Sequence, residues 1–358
     1  MIGHATDKSP EEMPSVTRQL EFAVLLTFAL CRPCLYADAR GTDTLPYMEA
    51  LSKITPASIP QPLLGIPGSD GWLFFEPELR HLKATAGMTN ESPQALAAII
   101  DFNDQLEKAG IRLVVVPVPC KASIYPDKLH PELQKPVMPP FPADSNFCAL
   151  LRTNGIQVLD LTDAFLKNRD QNSPLYCKTD SHWSPEGIKI ATTEISSRVG
   201  KILNEPHLSK SPMDVKEETV TFHGDLVSPA DPEETVTVRS VSSEGHPIAA
   251  SRASSVLLLG DSHNLIFHAG GDMHAKGAGL PDQLAVELGF PVDLVAVMGS
   301  GATTARWSLA RRHDNLSGKK VVVWCFTARD LTEGGRWDKV PVIKPAPTEP
   351  QGSPAPSP

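Results

Sequence analysis

The strongest constraint on this chain is a series of short, unbroken apolar runs, each followed by residues at helical spacing. Ser255-Val256-Leu257-Leu258-Leu259 is one such run. Ile111 to Val118, Gly155 to Leu161, Val292 to Met298 and Lys319 to Phe326 are the others. A half-solvated strand alternates polar and apolar side chains, so an unbroken run reads as a strand covered on both faces. Between the runs, Ser92-Pro93 opens a helix carrying Leu96, Ile99, Phe102, Leu106 and Ala109, which Gly110 ends. A helix from Pro185 aligns Ile188, Ile195, Val199 and Ile202. Two more follow, one from Pro281 to Gly289 and one around Ala302–Arg312. Strands alternating with helices predict an α/β protein: a doubly wound, mostly parallel sheet with helices on both faces. An apolar content of 41% in 358 residues supports a core of that size.

Around this core the organisation is less regular. Arg18 precedes a ten-residue apolar run, Phe22 to Cys31, too short to span a bilayer. With the small residues Ala37 and Ala39 after it, it predicts a signal peptide or N-terminal anchor over 1–39. The main domain is expected over 40–340, with a connecting segment near 38–60 and a polar, irregular excursion at about 206–247. The Pro-rich tail, 341–358, is expected to be disordered. A net charge of −9 without a basic run argues against nucleic acid as a partner. Arg306, Arg311, Arg312 and His313 read as the solvated side and end of a helix. Cys31 and Cys34 would leave with a signal peptide. Cys120, Cys148, Cys177 and Cys325 show no zinc spacing and are either paired in up to two disulfides or buried as thiols. No phosphate-cradling motif is present, Gly299-Ser300-Gly301 lacks the rest of a dinucleotide fingerprint, and no cofactor is expected.

Two motifs carry chemistry. In Asp180-Ser181-His182-Trp183, an extended backbone would put Asp180 and His182 on one face, roughly 6.5–7 Å apart, near enough for the carboxylate to orient the ring. In Gly260-Asp261-Ser262, a buried strand runs through a tight turn into a helix. That geometry projects its central side chain at the carboxyl edge of a parallel sheet, where turn amides can hold an oxyanion. A serine hydroxyl needs a base, and the base needs a third group to fix its tautomer. Ser262, His182 and Asp180 therefore form a candidate catalytic triad. The plainer alternatives are that Asp261 or Ser262 caps a helix, that Asp180 is a loop carboxylate, and that Ser184-Pro185 is only a helix start.

With these residues in hand, the chain resembles the periplasmic alginate O-acetyltransferase family, whose catalytic domain is SGNH-hydrolase-like. The resemblance covers about 65–332. It rests on Gly71-Trp72-Leu73-Phe74, Val115-Val116-Pro117-Val118-Pro119 with Lys121 and Tyr125-Pro126, Asp180-Ser181-His182-Trp183, Gly224-Asp225-Leu226, Gly260-Asp261-Ser262, and Trp324 followed by Arg329-Asp330-Leu331. It implies a flavodoxin-like three-layer fold, Ser262 as acyl-accepting nucleophile, His182 as base and Asp180 as its orienting group, with Asp and His preceding Ser. It also implies an acetyl donor supplied through a membrane-bound O-acyltransferase, within a membrane-associated complex, and an exported polysaccharide as acceptor. His263, Asn264 and Cys325 depart from the family pattern; His263 is expected to face solvent. No carbohydrate-binding module is expected after the catalytic domain. Gly301 is a candidate oxyanion donor, Arg329 a candidate substrate contact, and Trp72 and Trp183 candidate platforms for sugar rings.

Three other readings compete. The same triad serves a carbohydrate acetylesterase. Asp180 and His182, joined by Asp261 and His223, would suit a metal-dependent phosphoester hydrolase. A glycan-binding subunit without catalysis needs none of them.

Overall fold

A computed structural model of the chain describes Glu49 and residues 65–86, 93–133, 142–171, 173–204, 212–299 and 301–344. The expected signal or anchor segment, the connecting segment apart from Glu49, and the tail beyond 344 lie outside them. In chain order the main elements are β1 (Ile66–Pro67), β2 (Leu73–Phe74), α1 (Glu76–Ala86), α2 (Pro93–Lys108), β3 (Arg112–Val118), α3 (Pro142–Thr153), β4 (Gln157–Val158), α4 (Thr162–Asn168) and α5 (Pro185–Leu203). They continue as β5 (Asp214–Phe222), β6 (Glu234–Ser243), β7 (His246–Pro247), β8 (Val256–Gly260), α6 (Leu280–Leu288), β9 (Asp293–Ala296), α7 (Thr303–Ala310) and β10 (Val321–Thr327).

The five predicted apolar runs become one parallel sheet in the order β4-β3-β10-β8-β9. Alternate side chains point to opposite faces, and each face carries its own core. Val114, Val116, Leu258, Val323 and Cys325 pack with Ile188, Ile195 and Val199 of α5 and Leu284 of α6. Leu113, Val115, Leu257, Leu259, Trp324 and Phe326 pack with Ile99, Phe102 and Leu106 of α2 and Leu309 of α7. Burial of both faces is why these strands lack polar alternation. Each fully buried aliphatic side chain contributes about 1.5–3 kcal/mol. The last strand, β10, lies between β3 and β8, so the chain turns outward in both directions from this point. Ligand sites in such sheets form where strand order reverses, at the carboxyl edge. Ser262 stands at that edge, just past β8.

Gly260 shows how tightly this edge is built. A Cβ there would fall 1.7 Å from the carbonyl oxygen of Cys325 on β10 and 2.3 Å from Asn264 Nδ2. Backbone of a paired strand cannot step aside. Gly260→Ala is expected to cost at least about 3 kcal/mol, the upper range for one substitution, measurable as a lowered urea midpoint. A wild-type midpoint would mean that the edge is looser than its geometry.

Two expectations change, and one open alternative is decided. The excursion at 206–247 is not irregular, because β5 and β6 form an antiparallel ribbon from Asp214↔Ser242 to Phe222↔Glu234, with β7 added. Its β-branched alternation, Thr235-Val236-Thr237-Val238, buries Val238 on one side only. Charged and hydroxyl residues fill the wet side, and this masks the strand signal. The tail does not become free at 341: Val340 and Val342 are buried in the α2 face, and the N–H groups of Val342 and Ile343 donate to Gln105 Oε1. Of the two alternatives open for Cys120, Cys148, Cys177 and Cys325, the structure takes the second: all four are buried thiols outside any disulfide.

Candidate active site

Asp180 and His182 lie in a tight loop before α5. An antiparallel bridge between Tyr176 and Trp183 closes this loop, and Ser184 caps the helix behind it, accepting from the N–H groups of Glu186 and Gly187. Residues 178–182 form bends, not the extended strand that spacing suggested. Asp180 folds back on its own chain. Its Oδ1 accepts from the His182 backbone N–H at 2.8 Å and from Nδ1 of the same ring at 2.6 Å. The local turn, a habit of Asp side chains, brings the pair closer than a strand would.

Four distant groups hold this loop. The ammonium of Lys121, wholly buried, donates to the carbonyls of Leu73, Lys178 and Asp180 at 2.6–3.1 Å. Burial pulls that ammonium down to about 8. Glu234 on β6 accepts from the N–H groups of Lys178 and Thr179 and from the Thr179 hydroxyl. Asp225 accepts from the Ser181 N–H and hydroxyl, both at 2.6 Å, and its own N–H donates to Asp180 Oδ2. His274 Nε2 lies 2.8 Å from the same Oδ2. Gly224 permits this docking, since a Cβ there would meet the Thr179 carbonyl at 2.1 Å.

The serine arrives from the other side. After β8, Ser262–Asn264 makes a single 3₁₀ turn capped by Asp261, whose Oδ1 accepts from the His263 N–H at 2.9 Å. Asp261 Oδ2 accepts from the Thr327 N–H at 2.7 Å. Burial would raise this carboxyl, but the His263 and Arg329 charges and the Thr327 amide hold it at about 2. Asp261 therefore shapes the turn. Ser262 Oγ sits 2.8 Å from His182 Nε2. The three candidate triad members thus meet in one hydrogen-bonded row, although 80 residues separate His182 from Ser262. Burial disfavours charge on Asp180, yet hydrogen bonds and charge from His182 and His274 hold it well below the usual carboxylate range. Burial likewise lowers His182, but the Asp180 hydrogen bond and charge, with Asp225 and Asp261, raise it overall. A permanently ionised carboxylate on Nδ1 leaves Nε2 free to accept the serine proton.

The secondary candidates fare differently. The N–H of Gly301 donates to Asp330 Oδ2 and its carbonyl accepts from Trp324 Nε1, so this glycine packs between strands and is no oxyanion donor. Within the nucleophile turn, the N–H groups of His263 and Asn264 are engaged by Asp261. The Ser262 N–H is the turn's remaining candidate, as first amides of a helical turn lack internal partners. Arg329 is mostly buried, with its guanidinium near Glu78, beside the Thr327 hydroxyl and over the Phe75 ring. Trp72 is buried beneath Lys121 and against Tyr125. Trp183 is wholly buried and its indole N–H donates to the His263 carbonyl, tying the base loop to the nucleophile turn. Neither indole has a face for a sugar. His263 does not face solvent; it lies edge-on to Trp183 and 4.8 Å from the His182 ring. Burial pushes it down to about 4, which keeps it neutral beside the base.

Of the residues suggested for a metal, His223 bonds the Asp231 carbonyl at the surface and Asp261 is committed to backbone amides. Asp180, His182 and Asp225 could gather ligand atoms within 4.8 Å, but Asp180 already accepts hydrogen bonds at both oxygens. A cavity of about 930 Å³ between α5 and the β5–β6 ribbon is walled by Lys178, Thr179, Glu186 and Arg239, and by neither Ser262 nor His182. Sequence reading missed Asp225, Lys121, Glu234 and His274 as parts of the site. The first two stood in recognised motifs without a role; the last two have no local signal.

Comparison with known proteins bears on this geometry. A family model described as an SGNH hydrolase-like domain, acetyltransferase AlgX, matches residues 66–328. The probable alginate O-acetylase AlgJ of Pseudomonas aeruginosa is 33% identical over 172 residues, 46% of this chain and 41% of that protein. Its counterpart in Pseudomonas syringae pv. tomato is 29% identical over 175 residues, again 46% and 41%. The chain thus spans less than half the length of the curated relatives it matches. Among solved structures, the O-acetyltransferase domain of Pseudomonas putida AlgJ superposes with a TM-score of 0.57 at 20% identity, over 75% of this chain and 91% of that one. Pseudomonas aeruginosa AlgX gives 0.52 at 20% identity, over 74% and 61%. At that identity the two structures speak for the fold.

Proposed function

We infer the function from one premise: this chain belongs to the SGNH hydrolase-like acetyltransferase family of the AlgX type. On that basis we propose an O-acetyltransferase that moves an acetyl group through Ser262 to hydroxyls of an exported polysaccharide. Alginate is the acceptor suggested by the names of its relatives. The observation that carries the reading is the unbroken row Asp180–His182–Ser262, with contacts of 2.6 and 2.8 Å.

The chemistry follows from that row. His182 Nε2 takes the Ser262 proton as Oγ bonds to the acetyl carbonyl carbon, and the carbonyl oxygen becomes an oxyanion facing the Ser262 N–H. Collapse breaks the bond to the donor's leaving oxygen, which takes the proton from His182. In the second half a sugar hydroxyl gives its proton to His182 and attacks the acetyl-serine. Ser262 then leaves and recovers the proton. Asp180 stays ionised throughout and stabilises the imidazolium that forms twice. Water in place of the sugar hydroxyl would give an esterase, so the acceptor alone separates these two readings.

The donor is proposed to come through a membrane-bound O-acyltransferase, and the site to lie in the periplasm or another exported space, with the segment over 1–39 as signal peptide or anchor. Among the described residues no helix is long and apolar enough to cross a membrane. Incubation with p-nitrophenyl acetate, followed by peptide mass spectrometry, is expected to reveal acetyl on the Ser262 peptide. Unmodified Ser262 beside intact glycan binding would favour a binding subunit. Activity that tracks stoichiometric zinc, manganese or iron would favour the phosphoester hydrolase.

A further inference from the structure

The triad's carboxylate has a second histidine on it. Asp180 Oδ1 serves His182, and Oδ2, on its far side, meets His274 Nε2 at 2.8 Å. An ionised carboxylate only accepts, so His274 must carry its proton on Nε2 and donate it. The His274 ring is buried and lies flat on Phe222 of β5, with centroids 3.8 Å apart and planes 14° apart, while Phe267 crosses its side at 5.7 Å. Two aromatic walls thus fix the ring's plane and its aim.

The backbone beneath it is equally specific. His274 has φ 69° and ψ −52°, and the N–H of Ala275 donates to the carbonyl of Met273 at 2.8 Å. This is the rare, strained form of the γ-turn, occupied by a residue with a full side chain. Such strain persists where surrounding contacts over-determine it, and it concentrates at functional positions. The contacts are present. Phe267 N–H donates to the Met273 carbonyl, Ala278 N–H to the Phe267 carbonyl, and Gly277 N–H to the His268 carbonyl. All three pin the loop to the segment that leaves the nucleophile turn. His274 thereby links the Ser262 side of the site to the Asp180 side, 94 residues away.

We propose that His274 is a positioning residue for the acetyl-transfer reaction, holding the Asp180 carboxylate so that its other oxygen stays on His182. This rests on the proposed function for its kinetic part only. The groups facing His182 are Asp180, Asp225 and Asp261, with His263 against its ring. Lys121 bonds the Asp180 carbonyl from below. Removing the His274 donor leaves more of the Asp180 charge for His182, so the His182 titration moves to higher pH.

His274→Phe tests this, because it keeps the stack on Phe222 and removes the donor. With p-nitrophenyl acetate, kcat is expected to fall by about 10- to 100-fold, the range found when a histidine's orienting partner is lost elsewhere, with KM unchanged. NMR titration of the His182 ring, assigned with His182→Gln, is expected to move upward in pH. His274→Gln, whose amide can reach the same oxygen, is expected to restore most of both. Unchanged kcat and an unchanged titration in His274→Phe would overturn the proposal. So would equal losses in both variants that track a lowered melting temperature, with no movement of the His182 titration. Should wild-type protein not turn over the ester, the functional reading fails, and the NMR titration still decides the positioning role.

Discussion

Ser262→Ala is expected to lower acetyl-ester turnover by about 10⁴-fold or more, and His182→Ala by a similar factor. The hydroxyl is the only atom of Ser262 placed on His182 Nε2, and the methyl of alanine cannot bond to an acetyl carbon. The two losses are not additive, because nucleophile and base act as one unit. The double variant should be about as inactive as either single one. The fold should survive, since the change removes one hydrogen bond, worth about 1 kcal/mol, and no packed volume. Burst and steady-state release of p-nitrophenol, with a thermal melt as control, measure both. Wild-type turnover in a folded Ser262→Ala protein would remove the covalent mechanism altogether.

Asp180→Asn should rank next, at about 10⁴-fold in kcat, as where a triad carboxylate becomes an amide. The amide presents one oxygen and one NH₂, and the site offers donors on both sides. Nδ1 and the backbone N–H of His182 meet Oδ1; His274 and the Asp225 N–H meet Oδ2. Whichever way the amide turns, one pair of donors faces its NH₂, and where that pair belongs to His182 the ring is driven toward the wrong tautomer. The pH dependence adds a second readout. Burial lowers His182 and the Asp180 charge more than compensates, raising it above its ordinary value. Without that charge the burial effect remains, so the acid limb of kcat/KM moves to lower pH while the plateau collapses. His274→Phe should move the same limb the opposite way. An acid limb that stays in place in Asp180→Asn would show that another group sets it.

Much of this was legible from neighbouring residues. Val256 to Gly260, Arg112 to Val118 and Val321 to Thr327 announce buried parallel strands because every second side chain on each face is apolar, and that pattern needs no knowledge of partners. The turn at Gly260-Asp261-Ser262 and the pair Asp180 and His182 were readable for the same reason, since a turn and a two-residue spacing are local. The β5–β6 ribbon was not, because one face is wet and its register depends on pairing across a loop. His263 and Trp183 were misplaced because burial of a polar ring follows from what packs over it, which their own sequence neighbourhood does not state. Gly301 looked like a free amide only while its partner, Asp330, was unseen.

Sequence alone therefore determined the strand-and-helix alternation and supplied the reactive groups, through periods and turns that operate over a few residues. Only the tertiary structure decided that Ser262 meets His182, that Asp225, Lys121, Glu234 and His274 hold the base loop, and that both tryptophans are braces. Those contacts span 44 to 94 residues of chain for the two groups on Asp180 and Ser181. They arise from sheet order and two-sided packing, which bring distant segments to one edge and leave no trace in any short stretch of the chain.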